Sequence, residues 1–117
     1  MSPAHNKSVV LGAVLSDLDA GRTPDPAALR EAVRELLKEL ARRAPGRSVE
    51  VRVPPYGAVQ VVAGPRHTRG TPSNVVEMDP TTWVLLATGR LRWDEAVTQG
   101  RVSASGTRAD ISDYIPM

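Results

Sequence analysis

The chain has 117 residues, a formal net charge of +2 and no cysteine. This length predicts one domain, and the absence of cysteine excludes disulfides, thiolate nucleophiles and cysteine-ligated metal sites. Aromatic residues make up 3% and the positive charge is spread along the chain, so nucleic acid, which usually needs a basic face with stacking aromatics, is not an expected partner. His5 and His67 lack the spacing of a metal motif. We therefore expect no metal and no cofactor.

No apolar run approaches the roughly 18 residues of a membrane span. Residues 8–15 form a short apolar run that lacks a signal-peptide cleavage site and is followed by Asp17 and Asp19. We therefore expect a cytoplasmic protein without stable membrane insertion.

The first half of the chain predicts two helices. Residues 7–20 carry an apolar stripe and end at Gly21, and we assign 1–25 to an N-terminal helix and linker. Asp25 followed by Pro26 is a helix-start signal for a second, amphipathic helix at 26–43, which opens the main domain at 26–117. The apolar positions of the two helices are Leu11, Val14, Leu15 and Leu18, and Leu29, Val33, Leu36, Leu37 and Leu40.

The second half alternates between strands and short helices. Alternating valines predict strands at 49–53 and 58–63, and a third strand follows at 74–78. Helices are predicted at 80–88, after the Asp79 cap, and at 93–99, followed by a strand at 101–105 with Val102 and Ala104 facing inward. The sequence therefore predicts an α+β fold, a small mixed, mostly antiparallel sheet of four or five strands with helices packed on one face.

Residues 83–111 resemble the C-terminal half of sterol carrier protein 2-like domains. The shared pattern runs helix, Leu-x-x-Gly, second helix, Gly, strand, Gly, and it is carried here by Leu86, Gly89, Ala96, Gly100, Val102 and Gly106. The resemblance covers roughly residues 26–115. The ending at 103–116 is similar to the small bacterial branch of the family. It is also similar to the C-terminal domain of mycothiol-dependent maleylpyruvate isomerase-like proteins.

The resemblance implies non-catalytic binding or transfer of an apolar or amphipathic small molecule, such as a lipid, an acyl chain or a sterol-like compound. Its site would be a cavity between the helices and the sheet. The alternative is an interaction or accessory module whose cavity has closed and which acts through a protein partner. The expected ligand-binding residues are Val59, Val61, Trp83, Leu86, Trp93, Val97 and Val102, with Arg66 and Arg69 as head-group contacts.

Residues 64–74 concentrate Arg66, His67 and Arg69 between glycines and prolines. Catalysis with His67 as a general base is one interpretation, but no cysteine or serine stands in a recognisable nucleophile motif. Anion binding by the two arginines is a second. We predict a connecting loop and expect no enzymatic activity.

Overall fold

The computed structural model describes residues 3–64 and 74–117. The elements in chain order are helix α1 (Pro3–Asp19), helix α2 (Pro26–Arg43), strands β1 (Val49–Val53), β2 (Gly57–Val61) and β3 (Asn74–Met78), helices α3 (Pro80–Ala87) and α4 (Trp93–Thr98), strand β4 (Val102–Ser105), and a 3-10 turn (Ser112–Tyr114). The predicted order of helices and strands is confirmed. Helix α1 begins four residues earlier than its apolar stripe indicated.

Local signals in the sequence fix where the helices begin and end. The Asp25 carboxylate accepts a hydrogen bond from the Ala28 N–H at 3.1 Å, and Asp79 does the same for Thr82 at 3.1 Å. Each cap therefore satisfies an N–H that has no partner within the helix. After α3 the chain reverses at Gly89, whose φ of 79° suits glycine better than any residue with a side chain.

The sheet has four strands in the order β2-β1-β3-β4. β1 pairs antiparallel with β2 and parallel with β3, and β3 pairs antiparallel with β4. Two of the three pairings are thus antiparallel, and the predicted mixed, mostly antiparallel sheet of four or five strands is confirmed. Along β1, Val49, Val51 and Val53 are buried, whereas Arg52 on the other face is exposed and Glu50 is only partly buried.

The core lies between the inward face of the sheet and the helices. α2 packs against β2 and α3, and α1 packs on α2. Val14 of α1 belongs to the same buried cluster as Val33 of α2 and Val76 of β3. Ala104, which we predicted to face inward, is exposed. It lies near the end of β4, an edge strand, where burial depends on neighbours from one side only.

Candidate ligand-binding groove

Four of the predicted lining residues are fully or almost fully buried in the core. Val61 and Trp83 have 0% of their surface exposed, Leu86 has 1% and Val102 has 9%. The Trp83 indole N–H donates a hydrogen bond to the Val33 carbonyl at 3.2 Å, which ties α3 to α2. A buried Trp with a satisfied N–H is typical of core packing.

The other predicted apolar residues lie nearer the surface. Val59 and Trp93 are partly buried and pack against the core. The sequence predicts that Trp93, Ala96 and Val97 lie on one side of this helix. Val97 is 47% exposed, so this prediction is wrong for Val97. Ala96 takes the inward position and is completely buried. Adjacent helical residues point about 100° apart, so a helix of six residues that is anchored through Ala96 turns Val97 outward.

A half-open groove of about 460 Å³ lies between the end of α3, the turn into α4 and the C-terminal tail. Leu86 and Trp93 are the two predicted lining residues that it brings together. The complete lining consists of Leu86, Gly89, Leu91, Arg92, Trp93, Asp94, Ser112, Ile115 and Pro116.

The C-terminal tail forms one wall of this groove. Ile111 is fully buried and anchors the start of the tail, and the Met117 N–H donates a hydrogen bond to the Ala87 carbonyl at 2.9 Å. Pro116 lies against the turn at Gly89, with its ring carbons 3.4 Å from the position that a Cβ would take there. No local sequence pattern indicates this groove wall, since its contacts join residues that are 27 positions apart (Gly89 and Pro116) and 30 positions apart (Ala87 and Met117).

The groove has an apolar floor and a charged rim. Leu91, Trp93 and Ile115 supply apolar surface, and Arg92 lies at the edge with its Nε 3.3 Å from an oxygen of Asp94. The Arg92 side chain is 73% exposed, so its charge is well solvated. This arrangement can hold an apolar chain inside and leave a polar group in water.

A second ion pair fixes α1 beside the same turn. Arg90 donates two hydrogen bonds to the Asp19 carboxylate, at 2.8 and 3.0 Å. The hydrogen bond from Arg90 holds the pKa of Asp19 below its ordinary value. The pair connects the end of α1 to the α3–α4 turn, directly before groove residues Leu91 and Arg92.

The described residues contain no set of three or more His, Asp or Glu side chains placed to bind a metal ion. Arg66, His67 and Arg69 lie outside the described residues, and their roles stay predictions. Among the helices in the described part of the chain, none has both the length and the hydropathy to cross a bilayer.

The fold is a four-stranded mixed sheet with helices on one face, and a glycine ends each helix of the α3–α4 pair. These features define a small domain of the sterol carrier protein type. The family model described as bacterial SCP ortholog matches residues 25–117. The chain belongs to this family, and the resemblance to the small bacterial branch is confirmed. A search of curated proteins gives no match. Members of this family are generally carrier domains that do not catalyse a reaction. Membership therefore indicates a carrier role in general terms.

Proposed function

We propose that this protein binds or transfers an apolar or amphipathic small molecule without chemical conversion, and that the groove at the end of α3 is its site. The observation that carries the proposal is the partly buried Trp93, which packs against the core on one side and lines the groove on the other. A volume of about 460 Å³ falls in the range of small-molecule sites. The proposed site therefore lies at the end of α3, whereas the family resemblance implied a cavity between the helices and the sheet.

An apolar chain needs no polar anchor to bind in such a groove. Burial of about twelve methylenes at ~0.8 kcal/mol each gives a gross free energy near 10 kcal/mol. After the costs of ordering the ligand, micromolar affinity, which corresponds to about −8 kcal/mol, is within reach. The proposed ligands are lipids, acyl chains and sterol-like molecules.

Native mass spectrometry of freshly purified protein would show whether a lipid copurifies. A titration with a fluorescent fatty-acyl probe then locates the site. Trp93→Ala should weaken probe binding at least about tenfold, since it removes a large apolar wall worth more than ~1.4 kcal/mol. Val97→Ala is the matched control, because Val97 lies on the same helix and is exposed outside the groove lining. Equal binding by both variants would exclude this groove.

Arg66 and Arg69 are proposed as head-group contacts. If they bind the head group, an anionic ligand should bind more tightly than a neutral ligand of the same chain length. The double variant Arg66→Ala/Arg69→Ala should lose that preference, and added salt should weaken anionic binding only in the unsubstituted protein. A double variant that unfolds more easily but keeps its preference would show that the arginines support the fold.

One observation favours the second candidate, an interaction or accessory module that works through a protein partner. Val61 and Trp83, both predicted to line a cavity, are fully buried, as expected where a cavity has closed. This candidate predicts no saturable binding of acyl or sterol probes and a stable protein complex in pull-down experiments. Saturable probe binding that Trp93→Ala weakens would rule against it.

A further inference from the structure

One end of the molecule, where β1 and β3 begin, carries a cluster of exposed arginines. We call this surface the arginine end and define it by Arg42, Arg43, Arg47 and Arg108. All four are exposed, and the side chains of Arg42 and Arg43 are 69% and 48% exposed. None of them lines the groove described above.

Hydrogen bonds join the three backbone segments that carry these arginines. The Ala44 carbonyl, directly after Arg43 in the chain, accepts from the Val62 N–H at 2.7 Å, and the Val62 carbonyl accepts from the Ser48 N–H at 3.1 Å. The Asn74 amide closes the network: it donates to the Ser48 carbonyl at 2.8 Å and accepts from the Arg108 N–H at 2.9 Å. Arg108 is therefore held at the same end of the molecule as Arg42, Arg43 and Arg47, which lie within six residues of the chain.

The backbone of this surface is held in a demanding conformation. Val62 has a φ of 68°, which a β-branched residue adopts only where its surroundings enforce it. The Ser48 hydroxyl donates a second hydrogen bond to the Val62 carbonyl at 2.7 Å. The Arg108 guanidinium approaches Gly64, with Nη1 2.9 Å from where a Cβ would lie. The charges are thus presented by a fixed framework.

Three acids, Glu39, Glu50 and Asp110, lie within three chain positions of one of these arginines. Glu39 accepts hydrogen bonds from Arg42 at 3.0 Å and from Arg43 at 2.8 Å. Asp110 is the nearest acid along the chain to Arg108, and its carboxylate accepts from the Ser112 N–H at 2.8 Å. The four arginines together with Glu39 and Asp110 carry a summed charge of +2, and Glu50 is paired with Arg52.

One member of the arginine end, Arg108, is close along the chain to the proposed groove. Arg108 precedes Ser112, a groove residue, by four positions, so their Cα atoms lie within about 14 Å of each other, the reach of an extended chain. A flat anionic surface in contact with the arginines would therefore lie close to the groove. This places the source of an amphipathic cargo beside the site that would receive it.

We propose that the arginine end docks on an anionic phospholipid surface. The choice of partner rests on the proposed function, because a carrier of an apolar cargo must collect it from lipid. Clustered arginines are attracted to the negative potential of such a surface. Nucleic acid is the less suitable anion, because residues 42–48 and 106–110 contain no aromatic side chain for stacking on bases.

The test is cosedimentation of the full chain with phosphatidylcholine vesicles that contain or lack phosphatidylglycerol. Binding is expected only to the anionic vesicles and should weaken as salt rises. The double variant Arg47→Gln/Arg108→Gln should bind roughly 30-fold more weakly, from the typical contribution of two arginines near such a surface. The matched control is Arg30→Gln/Arg34→Gln on the exposed side of α2, which removes the same charge and should change binding less than about threefold. Circular dichroism of both variants checks their fold.

Equal binding to neutral and anionic vesicles would overturn the proposal, and so would equal losses in the two double variants, which would indicate net charge rather than this surface. Tighter binding to a short DNA or RNA duplex than to anionic vesicles would also overturn it. The two proposals fail separately. Acyl-probe binding without vesicle binding removes the docking surface and leaves the carrier function. Vesicle binding that depends on the arginine end, in a protein that takes no acyl probe, supports docking and removes the carrier function.

Discussion

Replacing Trp83 by alanine tests whether this residue is part of the core or lines a cavity. Its side chain is completely buried, and its N–H donates to the Val33 carbonyl. A buried Trp→Ala change typically costs about 3–5 kcal/mol, since it removes apolar contacts and leaves a cavity. That is a large part of the ~5–15 kcal/mol by which domains are stable. Trp83→Phe keeps most of the ring and loses mainly the hydrogen bond, so its cost should be only about 1–2 kcal/mol.

Urea unfolding followed by far-ultraviolet circular dichroism measures both changes without relying on tryptophan emission. With a slope of about 2 kcal/mol per molar urea, a loss of 4 kcal/mol moves the midpoint down by about 2 M. Trp93→Ala, at the half-open groove, should move it much less. A Trp83→Ala midpoint within about 0.5 M of the unsubstituted protein, together with loss of acyl-probe binding, would refute the core assignment and place Trp83 in a ligand cavity.

Four further substitutions, one of them a control, test local interactions by the same unfolding assay. Asp79→Ala removes the cap of α3 and should cost about 0.5–2 kcal/mol, whereas no loss would mean that the cap is dispensable. Glu39→Gln should make the free energy of unfolding fall less steeply as the pH is lowered below 4.5. The hydrogen bonds from Arg42 and then Arg43 lower the pKa of Glu39 from 4.5 to about 2, so its contribution is complete above pH 4.5 and is lost as the pH falls toward 2. If the unfolding free energy of the variant falls with pH as steeply as that of the unsubstituted protein, this explanation is wrong. The loss of stability should stay below ~1 kcal/mol because the side chains involved are largely exposed. Gly89→Ala should destabilise by about 1 kcal/mol through its positive φ, while Gly12→Ala, with open space around it in α1, should stabilise slightly; equal effects would exclude the backbone explanation.

Local rules were enough to predict most of the fold. The alternation of Val49, Val51 and Val53 indicated a half-buried strand, and the strand is present with those valines inside. Asp25 and Asp79, each followed by proline, indicated helix starts, and both carboxylates cap their helices. Such signals succeed because the interactions behind them join residues at most a few positions apart.

The site depends on contacts that no local pattern contains. A six-residue helix has too few turns for periodicity to define its buried side, so Ala96 and Val97 were both predicted to lie on one side, and the structure buries only Ala96. The groove exists because the tail at Ile115 and Pro116 returns to α3 and leaves space beside Trp93. The family resemblance implied Leu86 and Trp93 as ligand-binding residues, and both line this groove. The resemblance could not identify the opposing wall.

The packing of α1 bears on which part of the chain unfolds together. The family match begins at residue 25, yet Val14 is 1% exposed and lies in the same cluster as the valines of the sheet. Removing α1 would uncover the apolar side of α2 on which it packs, and such patches favour self-association. We therefore expect the part of the chain that unfolds as one cooperative unit to include α1 and to be longer than the matched range 25–117. Amide hydrogens around Val14 should exchange with solvent about as slowly as those of α2.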